Sequence, residues 1–254
     1  MKVSASIMAH PDRTEFVEEL ADSLDREVPV AWDNEGPPSG KGDRVWRTAR
    51  SAWQMYDPAA DFHVLIQDDA LVCRDYLAGL EVALEHVPDY ALVSTYFGRG
   101  RNVPARWTRM AEEAQATGAS WVRSFTLMWG VSLAVPTRFI PDMIKWCDRK
   151  AGMPDDMRVG RWFQRQKIDT WCTWPSLVDH RPAPSLTKHR QVERVAVRHH
   201  QGSALELDWS GPTVMDPMII RRRGPRAGPR RARKEAGSSE VGGWGPPGAP
   251  GDGS

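Results

Sequence analysis

Two adjacent carboxylates, Asp68 and Asp69, follow a short apolar run that begins at Phe62. The run Phe62-His63-Val64-Leu65-Ile66-Gln67 contains two β-branched residues, which favours a strand buried in the middle of a sheet over a helix. Open α/β sheets bind ligands at the carboxyl ends of their strands, so this acidic pair is placed for chemistry. A solvated turn after a strand is the alternative, and an isolated Asp-Asp does not separate the two interpretations.

A second acidic pair, Asp155-Asp156, follows Pro154, a residue that favours the first turn of a helix. Acids at this position often only cap a helix. We expect the helix N-terminus to lower the pKa of these carboxyls, so that one of them is ionised at neutral pH and can accept a proton. Asp156 is the preferred general base, with Asp155 as its alternative.

His180 ends the late segment Pro175-Ser176-Leu177-Val178-Asp179-His180. A lone histidine beside an aspartate is more often structural than a ligand. Together with Asp69, however, it offers a nitrogen and an oxygen donor suited to Mn²⁺ or Mg²⁺, provided that the fold brings the two together. The three cysteines lack Cys-x-x-Cys spacing, so they predict neither a disulfide framework nor a thiolate zinc site.

The first third of the chain alternates strands and helices. A loop containing His10 and Arg13 follows the first predicted strand, and Asp33 follows the second. The predicted elements are a strand over Val3–Ala9, a helix from Thr14, a strand over residues 28–32, a helix capped by Asp43 and the strand at Phe62. This order predicts an α/β fold with a largely parallel, Rossmann-like sheet flanked by helices.

Further elements are predicted beyond the central acidic pair. They are a helix over residues 75–86, a strand over 90–96, an exposed loop over 97–102, a strand over 129–136, helices from Thr137 and Pro154, and a closing segment over 173–181. Gly130 stands where the backbone can approach a ligand closely.

The composition divides the chain into a folded body and a tail. We expect one domain over residues 1–200, followed by an extended tail over 201–254 that is rich in Arg, Gly and Pro. From Arg221 the tail has eight Lys or Arg and three Asp or Glu, so it is expected to be disordered and to suit an acidic partner. The sequence shows neither a membrane-spanning run nor a signal peptide, which predicts a cytoplasmic location.

The order of these pieces resembles nucleotide-sugar-dependent glycosyltransferases of the GT-A fold. The matching residues are the loop from His10 to Arg13, Asp33, Gln67-Asp68-Asp69, Trp129-Gly130, Asp155-Asp156 and the segment from Pro175 to His180. That last segment is similar to a Pro-Ser-Leu-Val-x-His block in several such enzymes and is the most specific match. The chain is also similar to small glycosyltransferases of actinobacterial phages.

The resemblance implies transfer of a sugar from a nucleoside-diphosphate sugar to the hydroxyl of an acceptor, which is a protein, a glycan or a nucleic-acid base. It implies that Asp69 and His180 bind Mn²⁺ or Mg²⁺, that Asp68 reaches the ribose of the donor or the metal, and that Asp155 or Asp156 is the base. His10, Arg13, Asp33, Asp68 and Gly130 are then expected to bind the donor, with Arg13 and Lys41 contacting its diphosphate. Gln67 departs from the Asp-x-Asp-type signature, which weakens the expected metal dependence.

Two other classes of function fit parts of the sequence. A metal-dependent nuclease or phosphoesterase also uses clustered Asp and His, and the basic tail suits a nucleic-acid substrate. A non-catalytic module that binds sugars or nucleic acid is the second alternative, because twelve tryptophans offer stacking surfaces.

Overall fold

The computed structural model describes residues 1–34, 41–100, 103–182 and 194–219, with side chains from residue 43 onward in the second range. The side chain of Lys41, which was expected to contact the diphosphate, is outside the described part of the chain. The tail from Arg221, for which disorder and an acidic partner were predicted, is outside it as well. No helix within the described ranges combines the length and apolar character that a membrane crossing requires.

Strands and helices alternate over most of the described chain. The strands are β1 (Val3–Ala9), β2 (Val30–Trp32), β3 (Phe62–Gln67), β4 (Ala70–Val72), β5 (Leu92–Ser94), β6 (Gly98–Arg99), β7 (Trp121–Ser124), β8 (Ser132–Pro136), β9 (Thr170–Thr173), β10 (Val178–His180), β11 (Val195–Ala196) and β12 (Thr213–Met215). The α-helices are α1 (Thr14–Ser23), α2 (Lys41–Trp53), α3 (Tyr76–Leu84), α4 (Ala105–Thr117), α5 (Ile140–Cys147) and α6 (Asp155–Arg165). Short 3-10 helices cover Pro11–Arg13, Thr137–Phe139 and Ala204–Glu206.

Eight strands form one mixed sheet in the order β12-β7-β9-β5-β8-β3-β1-β2. The pairs β1–β2, β1–β3, β5–β9 and β7–β12 are parallel, so parallel pairs are in the majority. The strand β8 is antiparallel to both of its neighbours, β3 and β5. The carboxyl ends of β1, β2, β3, β5 and β9 therefore meet at one edge of the sheet, together with the residues that lead into β8. Below, this edge is called the carboxyl edge.

Helices cover both faces of the sheet because its central strands carry apolar side chains on both faces. In β3, Val64 and Ile66 pack with α1 and α3 on one face, whereas Leu65 packs with α2, α5 and α6 on the other. Helix α4 packs over the end of the sheet formed by β7, β9 and β12. The predicted α/β class with a large central sheet and flanking helices is thereby confirmed.

Two short antiparallel pairs lie outside the main sheet. Strand β4 follows the acidic pair and pairs with β10, so that Ala70 lies opposite His180. Strand β6 pairs with β11. The loop predicted over residues 97–102 thus begins as a strand, and its residues 101 and 102 lie outside the described ranges.

The predicted domain boundary at residue 200 is too early. Strand β12 lies beyond it and forms the edge of the main sheet beside β7. Trp209 is 2% exposed and Asp216 is fully buried, so this segment contributes to the core. The boundary was missed because β12 is only three residues long, too short to show a period of alternating side chains.

Candidate functional site

The carboxyl edge gathers residues that are far apart in the sequence. His10 and Arg13 follow β1, Asp33 follows β2, and Asp68 and Asp69 follow β3. Neighbouring strands fix these loops: the Asp68 N–H donates to the Met8 carbonyl at 3.1 Å, and the Asp33 N–H donates to the Ala9 carbonyl at 2.9 Å. These short links in the backbone bring the predicted donor-binding residues to one place.

Arg13 bridges the two adjacent carboxylates. Its Nη1 atom lies 2.6 Å from Asp68 Oδ1 and 2.6 Å from Asp69 Oδ2. The second oxygen of Asp68 accepts a hydrogen bond from the His10 N–H at 2.8 Å. All three charged side chains are at most 10% exposed, so water screens their interaction weakly.

The fold brings His180 to Asp69, which is the condition that the predicted metal site set. His180 Nε2 lies 3.3 Å from Asp69 Oδ2, and His180 Nδ1 lies 2.9 Å from the Arg181 carbonyl oxygen. Because a carbonyl only accepts, Nδ1 carries the proton in this contact, and Nε2 is directed at the carboxylate. The pairing of β4 with β10 explains the approach. His180 lies opposite Ala70 in that ladder, and Asp69 is the residue before Ala70.

Burial and charge act oppositely on the two carboxyls. Burial raises the pKa of Asp68, and the attraction of Arg13 offsets this only in part. Burial also acts to raise the pKa of Asp69, but the contacts with His180 and Arg13 outweigh it, so that this pKa is lowered. Asp69 is therefore the more firmly ionised member of the pair.

The residues at this edge fit a divalent cation in part. Asp69 Oδ1 is buried and accepts no hydrogen bond from the described residues. Buried carboxylate oxygens normally have a partner, and a bound cation would supply one. Asp69 and His180 supply the oxygen and nitrogen that Mn²⁺ accepts, and the Nδ1 contact would orient the imidazole. A third ligand is not preformed: within the described ranges no group of three or more His, Cys, Asp or Glu side chains is arranged to hold a metal.

Asp33 is held by two arginines on α2. Its Oδ2 accepts from Arg44 Nε at 2.6 Å, and its Oδ1 accepts from Arg47 Nη2 at 2.5 Å. Burial acts to raise the pKa of Asp33, but the two guanidinium groups outweigh it and lower that pKa. Arg44 Nη2 also lies 2.7 Å from Nε2 of His10. His10 and Asp33, both predicted to bind the donor, therefore contact arginine in the structure. The Asp33 carboxylate holds the guanidinium groups of Arg44 and Arg47 at the carboxyl edge.

Sequence reasoning missed Arg44 and Arg47. Their spacing of three residues places them on one face of α2, which is the signal that could have found them. It also missed Tyr96, which follows β5 at the same edge. The Tyr96 hydroxyl is buried with no hydrogen-bond partner in the described part of the chain, and burial is the first cause that raises its pKa.

Gly130 brings the second acidic pair to the sheet. A Cβ atom on Gly130 would lie 2.6 Å from Cβ of Asp156, so only glycine fits against the first turn of α6. The next residue, Val131, accepts a hydrogen bond from the Gln67 N–H at 2.9 Å. The short segment before β8 thus joins Asp156 to the end of β3. No hydrogen bond among the described residues links Asp155 or Asp156 directly to Asp68 or Asp69.

The expectation that the helix N-terminus lowers the pKa of this pair is wrong. Burial and the charge of Asp156 raise the pKa of Asp155, and burial also raises the pKa of Asp156. Asp156 Oδ1 does accept from the Met157 N–H at 2.6 Å, as helix-terminal acids do, but this bond does not offset the loss of hydration. A carboxyl with a raised pKa is a stronger base than an ordinary aspartate once it is ionised.

A buried arginine anchors α6. Arg158 is 1% exposed, forms an ion pair with Asp43 of α2, and donates to the Met153 carbonyl at 2.7 Å and the Cys147 carbonyl at 3.1 Å. Asp43, predicted to cap α2, instead accepts from Arg158 and from the Gly152 N–H. These contacts fix the first turn of α6, and with it the acidic pair, relative to the sheet.

Neither a protein-family model nor a curated protein matches the chain.

Proposed function

We propose that the protein is a GT-A-fold glycosyltransferase that uses a nucleoside-diphosphate sugar. The observation that carries the proposal is the contact of His180 with Asp69, two residues 111 positions apart that the resemblance assigned to one site. The sheet order supports it as well, because Asp33, Asp68, Asp69 and Gly130 meet at the carboxyl edge. The guanidinium groups of Arg13, Arg44 and Arg47 lie at this edge and suit a diphosphate.

The proposed reaction replaces one bond to the anomeric carbon of the sugar. The bond between this carbon and the diphosphate oxygen breaks, and its electron pair stays on the phosphate. In an inverting transfer the acceptor oxygen forms the new bond, and its proton passes to the carboxylate of Asp156, or of Asp155 as the alternative. Arg44 and Arg47, fixed by Asp33, would stabilise the negative charge that develops on the leaving phosphate.

Asp69 and His180 are the proposed ligands of Mn²⁺ or Mg²⁺, which when bound would neutralise charge on the diphosphate as a Lewis acid. The Arg181 carbonyl accepts from His180 Nδ1, which orients the imidazole and leaves Nε2 directed at Asp69. The role proposed for Asp68 is to hold the loop after β1 through the His10 N–H. Gly130 leaves room for the approach of Asp156.

Thermal unfolding in the presence of nucleotide sugars tests this proposal. A ligand that binds only the native state raises the melting temperature, by an amount that grows with its concentration relative to its dissociation constant. We expect at least one nucleoside-diphosphate sugar to raise it, and the effect to vanish in Asp69→Asn. A nuclease would instead respond to oligonucleotides, and a sugar-binding module to free sugars without the nucleotide.

A further inference from the structure

We propose that Arg13 is an internal cation that competes with a divalent metal for the carboxylates of Asp68 and Asp69. The inference deepens the metal role proposed above, and it concerns a side chain to which the resemblance gives only a diphosphate contact. Arg13 thus sets how tightly the free protein binds a metal.

The position of Nη1 is the first observation. A single nitrogen lies 2.6 Å from an oxygen of each carboxylate, which places a positive charge between the two acids. A cation that bridged the same oxygens would have to take this position. Arg13 and a metal therefore cannot both occupy it.

The balance of buried charge is the second observation. Two carboxylates contribute two negative charges, and Arg13 returns one positive charge, in a cluster that is at most 10% exposed. Asp69 Oδ1 remains without a hydrogen-bond partner in the described ranges. One guanidinium group thus leaves the pair incompletely neutralised, whereas a dication matches its charge.

The chain around Arg13 allows the side chain to leave while the backbone stays. The Arg13 N–H donates to the His10 carbonyl at 2.9 Å within the 3-10 helix Pro11–Arg13, and the Thr14 hydroxyl donates to the Pro11 carbonyl at 2.9 Å. Neither of these contacts involves the guanidinium group, so the loop keeps them when that group exchanges its carboxylates for another anion. A phosphate of the proposed donor is such an anion.

Calorimetric titration of the full chain with MnCl₂ alone tests the competition. We expect Arg13→Gln to bind one Mn²⁺ about tenfold more tightly than the wild type, or better, because the two acids are then uncompensated. Arg26→Gln is the control, since Arg26 forms its ion pairs with Asp25 and Glu81 away from this cluster, and its Mn²⁺ affinity should equal that of the wild type. Equal affinity in Arg13→Gln and wild type would overturn the proposal.

A second pair of variants keeps the test valid if Arg13→Gln does not fold. The double variant Arg13→Gln/Asp68→Asn has the same net charge in the cluster as the wild type. It should bind Mn²⁺ about tenfold more tightly than Asp68→Asn alone, through Asp69 and His180. If the double and the single variant bind Mn²⁺ equally, Arg13 does not compete. The readout uses no nucleotide, so it is independent of whether the protein transfers sugar.

Discussion

Substitution of Asp156 by asparagine separates a catalytic role of the acidic pair from a structural one. Asp156 lies against Gly130 at the start of α6, and its Oδ1 accepts from the Met157 N–H. Asparagine retains this side-chain oxygen and the shape of the residue but cannot accept a proton at neutral pH. The variant therefore removes the base and keeps the packing.

The expected loss of turnover is large and the expected loss of stability is small. General bases contribute about 10²–10⁴-fold, so the barrier should rise by about 3–5 kcal/mol. A negative charge at a helix N-terminus stabilises by about 0.3–1 kcal/mol. Burial, which raises the pKa of Asp156, opposes that gain, so we expect the free energy of unfolding to change by less than about 1 kcal/mol.

Release of nucleoside diphosphate from the donor found in the thermal screen gives the turnover, and urea unfolding gives the stability. Wild-type turnover should fall as the pH is lowered through the raised pKa of the pair, because the base is then protonated. Asp142→Asn is the matched control, since Asp142 is an exposed acid in the first turn of α5. Near-normal turnover in both Asp156→Asn and Asp155→Asn would refute the assignment of the base to α6.

Three further outcomes follow from the buried contacts of Gly130, Arg158 and His63. Gly130→Ala should cost about 1–3 kcal/mol in urea unfolding and lower turnover, because its Cβ would lie 2.6 Å from Cβ of Asp156; unchanged values would contradict the close approach. Arg158→Met should cost about 3 kcal/mol in the same assay, against less than about 1 kcal/mol for Arg50→Met, because the Arg50 side chain is 41% exposed. Equal losses would contradict the anchoring of α6. Burial lowers the pKa of His63 from 6.5 to about 4, so the unfolded state takes up the proton first as the pH falls. Stability should therefore be complete above pH 6.5 and decline toward pH 4 by roughly 3 kcal/mol, and His63→Gln should remove most of this decline in urea unfolding.

Several elements could be predicted because their apolar residues either recur with the period of a helix or form a short apolar run typical of a buried strand. The first strand has the predicted bounds, Val3–Ala9, and the run from Phe62 is the central strand β3. The strands β7 and β12 and the helix α4 were not predicted. Trp121 and Val122 of β7 are both buried, on opposite faces of the sheet, so this strand has no alternation of polar and apolar residues.

The residue types of the candidate site could be predicted better than their contacts. The sequence indicated that Asp69 and His180 belong together, and the β4–β10 pairing brings them into contact. It gave no sign that Arg13 bridges the two acids, because this contact depends on where the loop after β1 turns back. The raised pKa of Asp155 was also unpredictable, since the helix N-terminus is a local feature whereas burial depends on the whole fold.

The most direct test of the proposed function is calorimetric titration of the full chain with a panel of nucleoside diphosphates, with and without Mn²⁺. We expect one nucleoside diphosphate to bind at one site and Mn²⁺ to strengthen its binding. Asp69→Asn and His180→Ala should each weaken this binding about tenfold or more. The control Asp142→Asn should keep the wild-type affinity and melting temperature. Absence of binding by every nucleoside diphosphate, or binding that both site variants retain in full, would contradict the proposed function.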